Sequence, residues 1–305
     1  MIIWPLQISF PVNVATAHSI EGAMVQPYGH AKQFTLTEHG ERIPKDRLTQ
    51  DLTFSITAED MSVNKRIDIE QYPEMIYGWC LSRLIHFVVA LRLQFPNELI
   101  LIAKYDFSDA SRRVAHSASA AAQSIIVSED VAYIALRLSF GAFGGVPNPP
   151  SWCCFSEMVT DLSNEISLCE NWDPSTLHSP IQPVPPPSAY KEDESEPIGQ
   201  ARQLAVLIPT ASLGRAGCFI DDIVKLMIYR PDNVARQAAS TPLAVFACTR
   251  PHAGPSEPVP RWEILSPSKL EAEGTPAEVQ IVLRWTLDAR ALLLLLPFDK
   301  YLAWV

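Results

Sequence analysis

From Gln71 to Leu93 the apolar residues Ile76, Trp79, Leu81, Leu84, Ile85, Phe87, Val88, Leu91 and Leu93 recur at helical spacing, and Pro96 follows. The spacing predicts a helix over this stretch. Glu98 to Tyr105 is a near-continuous apolar run with β-branched residues, the pattern of a buried strand, and it delivers Asp106 at its end. Ala-rich Val114–Ile126 predicts a second helix and Val131–Leu138 another strand. Beyond the Gly/Pro cluster Gly141–Pro150, Trp152, Phe155, Val159, Leu162 and Ile166 step by three and four, which predicts a core-facing helix. Gly217 to Tyr229 is apolar on both sides of Asp221-Asp222, the pattern of a hairpin with acids at its turn.

The remaining chain is less periodic. Residues 1–70 carry mixed short apolar runs with frequent Pro, Thr and His, which predicts short strands and loops. Residues 174–197 hold seven Pro and end in an acidic run, Lys191-Glu-Asp-Glu-Ser-Glu196, and predict an exposed insertion. The expected division is therefore an N-terminal segment over 1–97, a first structural part over 98–173, an insertion over 174–200 and a second part over 201–305.

Composition narrows the class. The chain has 305 residues, 48% of them hydrophobic and 19% charged, enough to bury a sizeable core and far from the signature of disorder. A net charge of -10 excludes a plain basic binder that holds nucleic acid by bulk charge. That charge is local, however: Glu157 to Gly199 contains nine acidic residues and one basic, and the rest of the chain is near -2. The six Cys form no even framework, which points to reduced thiols and an intracellular location, cytoplasmic or nuclear. No apolar run reaches the length of a membrane helix, since Leu292–Leu296 stops at Pro297, so no membrane partner is expected. Cys248 and His252 have ligand-like spacing without a second pair nearby, so no zinc is expected either.

The candidate chemistry is a set of carboxylates placed by strands: Asp106 at the exit of one, Asp221 and Asp222 at the tip of a hairpin. Acids between hydrophobic strands repel one another, and a divalent cation offsets that repulsion. An Asp-Asp pair also serves as a simple turn former. The chain lacks a Gly-x-Ser-x-Gly elbow, a phosphate loop ending in Gly-Lys-Ser/Thr and a Gly-x-Gly-x-x-Gly fingerprint.

Three segments in order resemble the palm motifs of retroelement reverse transcriptases. Asp106-Phe-Ser-Asp-Ala-Ser111 is similar to the first, whose leading Asp binds metal; Phe140-Gly-Ala-Phe-Gly-Gly-Val-Pro147 resembles the second; Cys218-Phe-Ile-Asp-Asp222 resembles the third. Arg47-Leu-Thr-Gln-Asp51 is similar to the fingers segment that holds the incoming triphosphate. Ile281-Val-Leu-Arg-Trp285, with Lys269 before it, sits where a Leu-Gly dipeptide usually forms the primer grip.

The resemblance implies an α+β fold: a right-hand polymerase palm, an antiparallel sheet backed by helices, with a fingers region in 1–97 and the thumb absent or rudimentary. It implies an RNA-directed DNA polymerase that joins dNTPs to a primer 3′-hydroxyl on an RNA or DNA template. The cofactor implied is two Mg2+, or Mn2+ in their place, on Asp106, Asp221 and Asp222. Nucleotide contacts fall on Arg47, Ser111, Gly141, Gly144 and Gly145, and the primer grip on Leu283, Arg284 and Trp285. Gly141–Gly145 would let the backbone approach a base closely, or simply serve as a helix entry loop. Two departures stand out: Ser111 replaces the family's aromatic residue and Arg284 replaces its primer-grip Gly. The chain resembles the fingers and palm piece of a retroelement polyprotein, either active or a catalytically silent remnant that at most binds nucleic acid or a partner.

Overall fold

The computed structural model describes residues 9–36, 42–55, 61–72, 74, 77–108, 110, 116–135, 148–176, 198–204, 213–249, 264–266, 269–270, 275–297 and 300–302. In chain order its elements are β1 (Ser9–Asn13), α1 (Val14–His18), β2 (Tyr28–Leu36), β3 (Arg42–Gln50), α2 (Cys80–Gln94), β4 (Ile100–Asp106), α3 (Ala118–Ala122), β5 (Ile125–Ser128), β6 (Val131–Ala135), α4 (Asn148–Leu168), β7 (Gly214–Phe219), β8 (Asp222–Ile228), α5 (Val234–Thr249), β9 (Val279–Val282), β10 (Trp285–Asp288) and β11 (Leu293–Leu295). Helix and sheet are mixed, and every strand pair among these elements is antiparallel.

The chain forms two compact units, each of two segments: Met1–Glu74 with Asp109–Cys154, and Met75–Ser108 with Phe155–Val305. In the second unit α2 packs on β4 and β8.

In the first unit, β1-β6-β5 form a three-stranded sheet over a small core of Ala17, Ile125 and Ala132. Separately, β2 and β3 pair along nine residues each, from Tyr28↔Gln50 to Leu36↔Arg42, longer strands than the irregular sequence of 1–70 suggested. The second helix is much shorter than Val114–Ile126. Ser117 Oγ caps α3 by accepting from Ala120 N–H, and the helix ends by Gln123. The β-branched run Ile125-Ile126-Val127 then pairs with β6 as a strand, its branched side chains favouring the pleated backbone over a helix.

The second unit is built on the sheet β4-β8-β7, with β8 central. Alternation along the strands sends Val224, Leu226, Ile228, Ile100 and Ile102 to one face, against Cys80, Leu84, Val88 and Leu91 of α2. Each fully buried aliphatic side chain here contributes about 1.5–3 kcal/mol. α2 begins at Cys80, later than the expected Gln71: a 3-10 turn over Tyr77–Trp79, with helix-disfavouring Gly78 at its centre, leads into it. At its other end Arg92, only 2% exposed, donates to the carbonyls of Glu98 (2.6 Å) and Ala289 (3.1 Å), so it ties the helix end to the segment after β10.

The opposite face of the sheet is polar at its centre. Lys225 of β8 is fully buried and donates to Ser167 Oγ of α4, which in turn donates to Ser163 O and Ser240 Oγ; Ser163 Oγ bonds Thr241 Oγ1 of α5 at 2.9 Å. The edge strand β7 is closed by Asn164, whose side chain accepts from Ala216 N–H at 2.7 Å and donates to Ala216 O at 3.1 Å, as a neighbouring strand would. α5 carries Pro242 in its interior, which leaves the Ala238 carbonyl without its helical N–H. The buried Tyr105 hydroxyl of β4 donates to that carbonyl at 2.8 Å.

Candidate active site

β4 runs buried from Ile100 to Ala103 and surfaces at Asp106, which lies directly opposite Asp222, the first residue of β8. Phe219 pairs with Asp222, so Ile220 and Asp221 form a two-residue turn between β7 and β8. Ile220 has φ 54°, a left-handed conformation that costs a β-branched residue about 1–2 kcal/mol. Such strain persists only where surrounding structure imposes it. Here the turn is held to β4 by the Phe107 N–H, which donates to Asp221 O at 3.2 Å. The outcome is three carboxylates at one end of one sheet.

Their charges are felt mutually. Burial pushes the Asp222 carboxyl well above its ordinary range, and the fields of Asp221 and Asp106 push it further, with an Asp106 side-chain hydrogen bond favouring the protonated form. Asp221 is raised by burial and then by Asp106. Among the described residues a lysine answers this charge: Lys269 Nζ contacts Asp106 Oδ1 at 2.6 Å, with the Asp106 side chain 12% exposed and that of Lys269 56%. Burial alone would lower the Lys269 ammonium, but the contact with Asp106 and the fields of Asp222 and Asp221 outweigh it and hold the group above its ordinary value.

The segment carrying Lys269 is fixed to β4 by main chain. Ser266 N–H donates to Asp106 O at 2.9 Å, Ser108 N–H donates to Ile264 O at 2.7 Å, and Leu265 bridges Phe107. One turn on, Leu270 N–H returns to Ser266 O and Lys269 N–H to Ser266 Oγ, which sets the lysine over the carboxylates.

Carboxylate oxygens are hard donors suited to Mg2+ or Mn2+, and the ammonium held on Asp106 Oδ1 shows positive charge seated against the cluster. The donor set therefore fits a divalent cation. Among the described residues no group of three or more ligating side chains stands ready-arranged around one point. In this arrangement Asp106 is engaged by Lys269 instead.

Arg47 lies in β3, in register with Ala31, in the other unit. Ser111, Gly141, Gly144 and Gly145 lie outside the described residues, as does most of the insertion, 177–197. Leu283 and Arg284 form the two-residue turn between β9 and β10, both with positive φ, 49° and 72°, and Trp285 opens β10. A glycine would meet that backbone without cost, and glycine is the residue whose place Arg284 takes in the resemblance. The Lys269 contact carried no spacing signal, since the lysine lies far along the chain from Asp106. No protein-family model matches the chain, and no curated protein matches it.

Proposed function

We propose that the chain is the fingers and palm region of a reverse-transcriptase-like polymerase, and that Asp106, Asp221 and Asp222 are its catalytic carboxylates. The observation that carries this is the register of Asp106 against Asp222 beside the strained Ile220-Asp221 turn, which gathers three acids at the end of a helix-backed antiparallel sheet. With α3, β5 and β6 set aside in the other unit, the order of elements adds support: a strand bearing the first Asp, the helix α4, the acid-bearing hairpin, the helix α5, and a tight hairpin with two left-handed residues.

The reaction is attack of a primer 3′-hydroxyl on the α-phosphorus of a dNTP, with release of pyrophosphate. Two Mg2+ ions, when bound, would activate the attacking oxygen and neutralise charge on the leaving phosphates. Asp106, Asp221 and Asp222 would hold them. The chain's own contribution is to bring the three acids to one end of one sheet, Asp106 and Asp222 by strand pairing and Asp221 by the tight turn between β7 and β8. Leu283 and Arg284 would present the hairpin turn to the primer.

A catalytically silent remnant is the second reading, and one observation favours it: Arg284 occupies a left-handed position that suits glycine. The test that separates the two is Mg2+- or Mn2+-dependent addition of one nucleotide to a primed template, with Asp221→Asn as the control.

A further inference from the structure

The carboxylate cluster is not left bare: a lysine ammonium is built into it. Lys269 reaches Asp106 Oδ1 at 2.6 Å from a segment bonded to the same strand by two main-chain hydrogen bonds, Ser266 N–H to Asp106 O and Ser108 N–H to Ile264 O. The bonds from Leu270 N–H to Ser266 O and from Lys269 N–H to Ser266 Oγ fix where the lysine starts. Its side chain is more than half exposed, whereas the carboxylate it covers is 12% exposed. A long stem anchored at one end and free at the other can withdraw into water at little cost, while Asp106 cannot.

We propose that Lys269 is a resident counter-ion of the site, which neutralises Asp106 when no divalent cation is bound and gives that carboxylate up when one binds. The inference rests on the cation-binding role assigned to the three acids. An ammonium and a divalent cation compete for the same oxygen, because a carboxylate oxygen held at 2.6 Å by Nζ has no room for a metal on that side. The charge also repels an incoming dication. Lys269 therefore sets how much free cation the site needs, and it keeps the three acids from repelling one another apart in the cation-free protein.

The experiment is a Mn2+ titration of the full chain by electron paramagnetic resonance, with the melting temperature of the cation-free protein alongside. Lys269→Met should bind Mn2+ more tightly by roughly tenfold or more, the effect of removing one unit positive charge a few ångströms from a dication. Its cation-free form should melt below wild type, and saturating Mn2+ should close most of that gap. Lys269→Arg keeps the charge and should retain the weaker affinity, which guards against a general effect of substitution. Equal Mn2+ affinity in wild type and Lys269→Met, with both losing binding on Asp106→Asn, would overturn the counter-ion role and leave the cation site standing. No Mn2+ binding by any variant would overturn both.

Discussion

Removing the Tyr105 hydroxyl should expose how β4 is tied to α5. Pro242 has no N–H, so the Ala238 carbonyl four residues back has no helical donor, and the Tyr105 hydroxyl supplies one at 2.8 Å. Both residues are 2% exposed, so water does not take over when the hydroxyl is lost. Tyr105→Phe preserves the ring packing and strands one buried acceptor, a cost of about 1–3 kcal/mol. Pro242→Ala restores an N–H to α5 that satisfies the same carbonyl. In that background Tyr105→Phe should cost about 1 kcal/mol less, because the acceptor is no longer orphaned. Urea unfolding of the four proteins, followed by circular dichroism, gives the coupling from the shift in midpoint at constant slope. An identical cost of Tyr105→Phe with and without Pro242 would refute the claim that the tyrosine serves the proline's missing bond.

Arg284→Gly should raise stability by about 0.5–1 kcal/mol, since relief of a left-handed φ of 72° exceeds the extra chain entropy of glycine; a loss in urea unfolding would contradict this. Lys225 should make stability depend on alkaline pH. Burial, with a smaller push from Arg215, lowers its ammonium from an ordinary 10.5 to about 7, so between those values the unfolded chain binds a proton that the folded one sheds. Wild-type stability should therefore rise as pH is taken from about 7 toward 10, a rise that Lys225→Met abolishes while gaining on the order of 1–4 kcal/mol at neutral pH. A pH slope that persists in Lys225→Met would place its origin elsewhere.

The strand into Asp106, the acid-bearing hairpin and α4 were legible in the sequence because each is a long segment whose apolar period matches its final state. The α2 start was not, because the apolar spacing continues through Trp79 while a 3-10 turn over Tyr77–Trp79 comes before the α-helix. Val114–Ile126 misled for the opposite reason: alanine favours helix locally, but pairing with β6 decides the fate of Ile125 and Ile126. The buried polar seam around Lys225 lay hidden inside a run that reads as apolar, since its partners Ser163, Ser167, Ser240 and Thr241 come from two distant helices. The three acids could be named from their spacing along the chain. Their convergence depends on the β4–β8 register, and the Lys269 contact depends on a segment that joins β4 from more than 150 residues away; neither long-range pairing is written in local pattern.

The most direct measurement is single-nucleotide extension of a primed template by the full chain, with Mg2+ or Mn2+, compared with Asp221→Asn at matched protein concentration. The account predicts a product that requires the divalent cation and falls by about a thousandfold in the variant, the scale expected when a charge-stabilising group is removed from an active site. Extension that survives Asp221→Asn unchanged, or no extension by the wild type with either cation, would contradict it.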